Sequence, residues 1–131
     1  MSSSRKPFAA ALAALFMVSS CSSSSMHQAD ESPALVLLYF NGCPTSNEVR
    51  MNLKVVMDAA EQSPFTYSEV DMGDLDPMDD RLRWGSPTIL VDSRDLFGMP
   101  PADAPGFSCR LYDHVPSSSD IQIALAQRLN R

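Results

Sequence analysis

Apolar positions change their spacing several times along this chain, and each change predicts an element. From Phe8 to Val18 they are continuous and uncharged, behind the basic pair Arg5-Lys6. Leu35 to Phe40 form a second, shorter apolar run that reads as a strand. From Pro44 to about Gln62 the spacing becomes helical. Val49, Leu53, Val56, Met57 and Ala60 fall on one face, while Glu48, Arg50, Lys54, Asp58 and Glu61 are left for solvent. Pro44 suits the first turn of that helix because it has no N–H to leave unpaired, and Ser63-Pro64 ends it. Alternation returns over Thr66 to Asp71 as a short strand, closed by Met72-Gly73-Asp74.

A second, shorter helix is expected over Pro77 to Trp84, capped by Asp76 and stopped by Gly85. Thr88 to Val91 is a buried-strand pattern, and Asp92-Ser93 turns it into a brief partner, Arg94 to Phe97. Gly98 to Gly106, with three prolines, sustains neither ladder and is loop. Phe107 to Tyr112 is extended or simply packed. Ser117 and Asp120 stand at capping-box spacing before Ile121, Ile123, Ala124, Leu125 and Leu129, which predict a closing amphipathic helix. The order is strand, helix, strand, helix, strand, strand, helix. A right-handed parallel crossover followed by a tight hairpin makes this an α/β chain with a mixed central sheet and helices on both faces.

The first apolar run is too short to span a bilayer, which takes ~20 residues. Behind Arg5-Lys6 it reads as a signal peptide over residues 1–20. Val18-Ser19-Ser20-Cys21 resembles the bacterial lipobox, which implies cleavage before Cys21 and lipidation of that residue. Residues 21–33, opening with Ser22-Ser23-Ser24-Ser25, form a flexible tether, and 34–131 form one domain. The expected location is therefore outside the cytoplasm: a lipoprotein anchored to a cell membrane and facing the periplasm or exterior. Ser22 after Cys21 resembles the outer-membrane sorting pattern of Gram-negative lipoproteins.

Charge narrows the partners. The whole chain carries ten basic and sixteen acidic residues, a net −6. Loss of Arg5 and Lys6 leaves eight against sixteen, a net −8. That balance opposes nucleic acid and anionic lipid as partners, so membrane attachment would come from acyl chains. With Cys21 lipidated, only Cys43 and Cys109 remain for chemistry. In an oxidising compartment two cysteines most often form one disulfide, but their spacing neither requires nor forbids it.

Cys43 lies where the first strand breaks through Asn41-Gly42 and gives way to the helix. Unpaired N–H groups and partial positive charge at a helix start favour a thiolate, and the Thr45 and Ser46 hydroxyls are close in sequence. Cys43 is thus the candidate nucleophile. Later, Gly85-Ser86-Pro87-Thr88 leads into the third strand as a proline placed to present a backbone edge would. Trp84 either flanks a groove there or packs in the core.

These two segments, Asn41-Gly42-Cys43-Pro44-Thr45-Ser46 and Gly85-Ser86-Pro87-Thr88-Ile89-Leu90-Val91-Asp92, resemble the redox motif and the cis-proline strand of the thioredoxin superfamily. The chain resembles the smaller, glutaredoxin-like members most of all. The resemblance covers Leu35 to Asn130. It implies a thioredoxin-like three-layer fold, a cis Ser86–Pro87 bond, a substrate strand held by the backbone at Ser86, and thiol–disulfide exchange at Cys43. Its implied partners are protein or small-molecule thiols and disulfides, met as a monomer without a cofactor. Ser46 stands where dithiol enzymes carry their second cysteine, so the usual intramolecular release step is missing. Asn41-Gly42 and Phe97-Gly98 replace the lysine and the glycine pair associated with glutathione.

Cys109 is the candidate for the missing thiol. It could close a disulfide or share a soft metal with Cys43, provided the Cα atoms come within about 7 Å. Alternatively, Phe107, Cys109 and Leu111 share one face of an extended segment and Cys109 is a buried packing residue. Two other functions fit the same residues: a redox-inactive binding module using the groove of Cys43, Trp84 and Pro87, and soft-metal capture by Cys43 and Cys109. His27 falls in the tether and His114 reads as a surface residue. The eight methionines are scattered and make no metal box.

Overall fold

In a computed structural model that describes residues 32–131, the domain is a four-stranded mixed sheet with two α-helices. The proposed leader, Cys21 and His27 lie outside the described residues. The strands are β1 (Ala34–Tyr39), β2 (Thr66–Asp71), β3 (Thr88–Val91) and β4 (Arg94–Asp95); the helices are α1 (Ser46–Ala59) and α2 (Ser118–Leu129). Their order across the sheet is β2-β1-β3-β4. β1 runs parallel to β2, with Leu35 opposite Tyr67, and antiparallel to β3, with Leu37 opposite Ile89. None of the described helices is long and apolar enough to cross a membrane.

The continuous apolar run of β1 is explained by burial on both faces. Leu35 and Leu37 point into a core shared with Val49 and Leu53 of α1, Ile89 and Val91 of β3, and Ile121 and Leu125 of α2. Leu38 and Leu90 point the other way, into a second cluster with Met72 and Leu82. Both α-helices therefore cover the same face, and they pack against each other.

The expected helix over Pro77 to Trp84 shrinks to a 3-10 turn, Asp80–Arg83, which corrects the expectation of helices on both faces: no α-helix among the described residues covers the second one. The second face is covered instead by two 3-10 turns, Met72–Asp74 and Asp80–Arg83, with Leu75 and Trp84 beside them. The aspartates account for this. Asp71, Asp76 and Asp79 each accept a hydrogen bond from the backbone N–H two residues on, at Gly73, Met78 and Arg81. Such local bonds close turns and compete with a helical ladder.

The other boundaries moved less. α1 starts at Ser46 with Thr45 as its N-cap, so Pro44 precedes the helix rather than opening it. β4 ends at Asp95 rather than Phe97, because the Asp95 carboxylate accepts from the backbone N–H groups of Phe97 and Met99 and turns the chain off the sheet. The β3–β4 connection is the two-residue turn Asp92-Ser93, both residues at positive φ, 48° and 64°, as a hairpin twisted to match its strands requires. Ser117 and Asp120 form the capping box read from their spacing.

Between β4 and α2 the chain runs as a long strap without regular structure. Its loop portion is tied down by backbone bonds from Ala102 N–H to Arg83 O and from Gly106 N–H to Leu82 O. Both anchors lie in the 3-10 turn that covers the second face.

Candidate functional site

Two consecutive turns carry the chain from β1 into α1: Cys43 N–H donates to Phe40 O at 3.1 Å, and Ser46 N–H to Cys43 O at 3.2 Å. Gly42 sits inside the first turn, where a Cβ would collide with the Phe40 ring. Cys43 is thereby held just ahead of the first turn of α1. Its sulfur is not free: Cys43 and Cys109, 66 residues apart in sequence, are joined by a disulfide with Cα atoms 5.5 Å apart.

The strap that brings Cys109 there is fixed at the backbone. Ser86 N–H donates to Ser108 O at 2.9 Å, and Arg110 N–H donates to Ser86 O at 2.7 Å, a single parallel bridge between Ser86 and Cys109. The Ser86 edge expected to hold a substrate strand is occupied by the chain's own residues 108–110. The Ser86–Pro87 bond is cis. Pro87 is buried, and its carbonyl accepts from the Tyr112 hydroxyl at 2.8 Å.

Exposure divides the two sulfur-bearing residues. Cys43 is only 3% exposed, although the nucleophile was expected to meet substrate directly. Cys109 is exposed. The alternative in which Cys109 is buried packing therefore fails: Phe107 is 50% and Leu111 86% exposed. Phe107 still finds one partner, the Phe40 ring, edge to face at 4.5 Å between centroids.

Ser46, three residues after Cys43, is fully engaged elsewhere. Its hydroxyl donates to Phe40 O at 2.7 Å, and Phe40 N–H donates to Ser86 Oγ at 2.7 Å. The two hydroxyl oxygens are 3.1 Å apart. Ser46 has one hydroxyl hydrogen and has given it to Phe40, so Ser86 is the donor across that gap. The result is a closed ring of bonds through Phe40, Ser86 and Ser46, with both serines buried and Phe40 half-buried. Ser46 thus offers Cys43 no hydrogen bond from its hydroxyl. Thr45 Oγ1, two residues from Cys43, is buried and has no hydrogen-bond partner among the described residues.

Trp84 does not join this group. It packs against the second core cluster and lines a hollow with Val36, Val70 and Leu90 that includes neither cysteine. His114 is a surface residue, 3.7 Å from the Asp120 carboxylate. A hollow of about 550 Å3 between the strap and α2, lined by Phe97, Leu111, Tyr112 and Ile123 among others, also contains neither sulfur.

Three residues beside the disulfide escaped the sequence reading. Arg110 extends into the domain and pairs with Asp95 at 2.6 Å, the side chains only 6% and 0% exposed. Its guanidinium lies over the Tyr112 ring, 4.3 Å from the centroid. Burial pushes the Tyr112 hydroxyl up to about 12, with the neighbouring guanidinium pulling the other way. One signal was available: Arg110 is a lone charge between Cys109 and Leu111, and Asp95 precedes Leu96-Phe97. Opposite charges set in short apolar segments are candidates for a buried pair.

No protein-family model matches the sequence, and neither does a curated protein or a solved structure.

Proposed function

We propose that this chain is a thioredoxin-like thiol–disulfide protein whose redox couple is Cys43 and Cys109. The observation that carries the reading is their disulfide, closed between the start of α1 and a segment bridged to Ser86. The parallel β1–α1–β2 crossover followed by the antiparallel β3–β4 pair and a closing helix supports the family reading of the fold. The lipobox-like Val18 to Cys21 supports an exported protein held to a membrane by its acyl chains.

In the reduced protein, Cys43 thiolate attacks one sulfur of a protein or small-molecule disulfide. One substrate sulfur leaves as a thiolate, and the other remains joined to Cys43. Cys109 thiolate then attacks the Cys43 sulfur, releases the second substrate thiolate and closes the internal disulfide. Two electrons pass to the substrate. Cys109 thus supplies the step that Ser46 cannot. The other readings draw less support: the chain's own residues 108–110 fill the Ser86 edge of the groove a partner would use, and a metal site needs both sulfurs as thiolates.

The test is exchange with a model peptide disulfide, using the full chain reduced with dithiothreitol and desalted. One equivalent of peptide disulfide should be reduced per protein, with Cys43→Ser inactive. Resistance of the native disulfide to dithiothreitol, or an undiminished rate in Cys43→Ser, would remove the proposal.

A further inference from the structure

We propose that the oxidised protein is opened preferentially by thiol attack on the Cys109 sulfur, with Cys43 as the leaving thiolate. This rests on the reading of Cys43 and Cys109 as a redox couple, and adds which end of the bond faces the donor.

A thiolate displaces a sulfur by approaching in line with the bond, from the side opposite the leaving sulfur, and its rate depends on which sulfur can be reached. In the oxidised protein Cys43 is 3% exposed, so an external thiol reaches it poorly. Cys109 is exposed. The peptide edge beside Cys43 is closed as well, because both backbone groups of Ser86 are bonded to residues 108 and 110. A donor chain cannot pair there without first lifting the strap.

The leaving group points the same way. Attack on Cys109 expels Cys43, which sits ahead of α1, a helix of 14 residues. Partial positive charge at that helix start stabilises the departing thiolate, and a sulfur that is the better thiolate leaves faster. Cys109 lies in the strap, against a single bridge and no helix.

A donor thiolate forms a bond to the Cys109 sulfur, the Cys43–Cys109 bond breaks, and its electron pair goes to Cys43 as thiolate. A second donor thiol, deprotonated, attacks the donor sulfur of the mixed disulfide. It frees Cys109 as thiolate, and the donor leaves as a disulfide. Two donor thiols are oxidised per protein reduced.

The experiment uses the full-length oxidised wild type and 2-mercaptoethanol, a monothiol with no recognition elements. The early reaction is quenched in acid and its free thiols are alkylated. Peptide mass spectrometry then locates the mercaptoethanol adduct. The adduct should fall on Cys109 with the alkyl group on Cys43, in about tenfold excess over the opposite isomer, because access and leaving group favour the same sulfur. An adduct found mainly on Cys43, or divided equally, overturns the assignment while leaving the redox couple intact. A disulfide that neither 2-mercaptoethanol nor dithiothreitol opens in the native state overturns both.

Discussion

Ser46 and Ser86, 40 residues apart, bring their hydroxyl oxygens to 3.1 Å in the buried heart of the domain, and each is also bonded to the backbone of Phe40. This ring joins the end of β1, the start of α1 and the residue before Pro87. It makes the serine of the Cys-x-x-Ser sequence a structural link, and it positions the turn that carries Cys43.

Ser46→Ala should therefore destabilise the domain although it removes one oxygen from a fully packed site. Phe40 O and the Ser86 hydroxyl would lose their partner together, at a cost of about 1 to 3 kcal/mol for buried groups left unsatisfied. A urea melt with unchanged slope and a lower midpoint would register this. An unchanged midpoint would mean that the ring contributes nothing net.

Breaking the Arg110–Asp95 pair from one side should cost more than replacing both partners. Arg110→Met leaves the Asp95 carboxylate buried without its cation, and loss of one member of a buried pair costs about 3 to 5 kcal/mol. Arg110→Met combined with Asp95→Asn should recover part of that, since no bare charge remains. Thermal unfolding of the two variants decides between a mutual pair and two independent contributions, which would simply add.

Alkaline pH should erode stability through Tyr112. Its hydroxyl is pushed up from 10.0 to about 12 by burial, so between those values the unfolded chain loses a proton that the folded one keeps. Stability is then fully present below pH 10 and falls as pH rises toward 12, by about 2 to 3 kcal/mol in total at ~1.36 kcal/mol per unit. Tyr112→Phe should flatten that limb while losing the bond to Pro87 O, worth about 1 kcal/mol at neutral pH. Denaturant melts at pH 9 and above compare the two; equal slopes with pH would refute the assignment.

Reduction should weaken the fold substantially. The disulfide joins residues 66 apart, and in the chain-entropy account a loop of that length is worth about 4 kcal/mol. Urea midpoints with and without dithiothreitol measure it. A reduced protein of equal stability would mean that the strap is held by Arg110, Tyr112 and its backbone bonds alone.

Local pattern, with short-range geometry behind it, was enough for most elements. Continuous apolar residues marked β1 and β3, helical spacing marked α1 and α2, and Asp92-Ser93 and Ser117/Asp120 marked a turn and a cap, because these features involve neighbours within a few residues. Pro77 to Trp84 misled for a local reason too: aspartate side chains outcompeted the helix ladder there.

What the amino-acid order determined by itself was a cysteine set between a buried strand and a helix, and a mixed α/β domain around it. Tertiary structure alone decided that Cys109 reaches that cysteine, that it lies on the exposed side of the bond, that residues 108–110 take the Ser86 edge, and that Arg110 finds Asp95. Each of those depends on how a strap without periodic pattern folds back over the sheet. Periodicity encodes which way a side chain faces along its own element; it carries no information about which distant segment will lie against it.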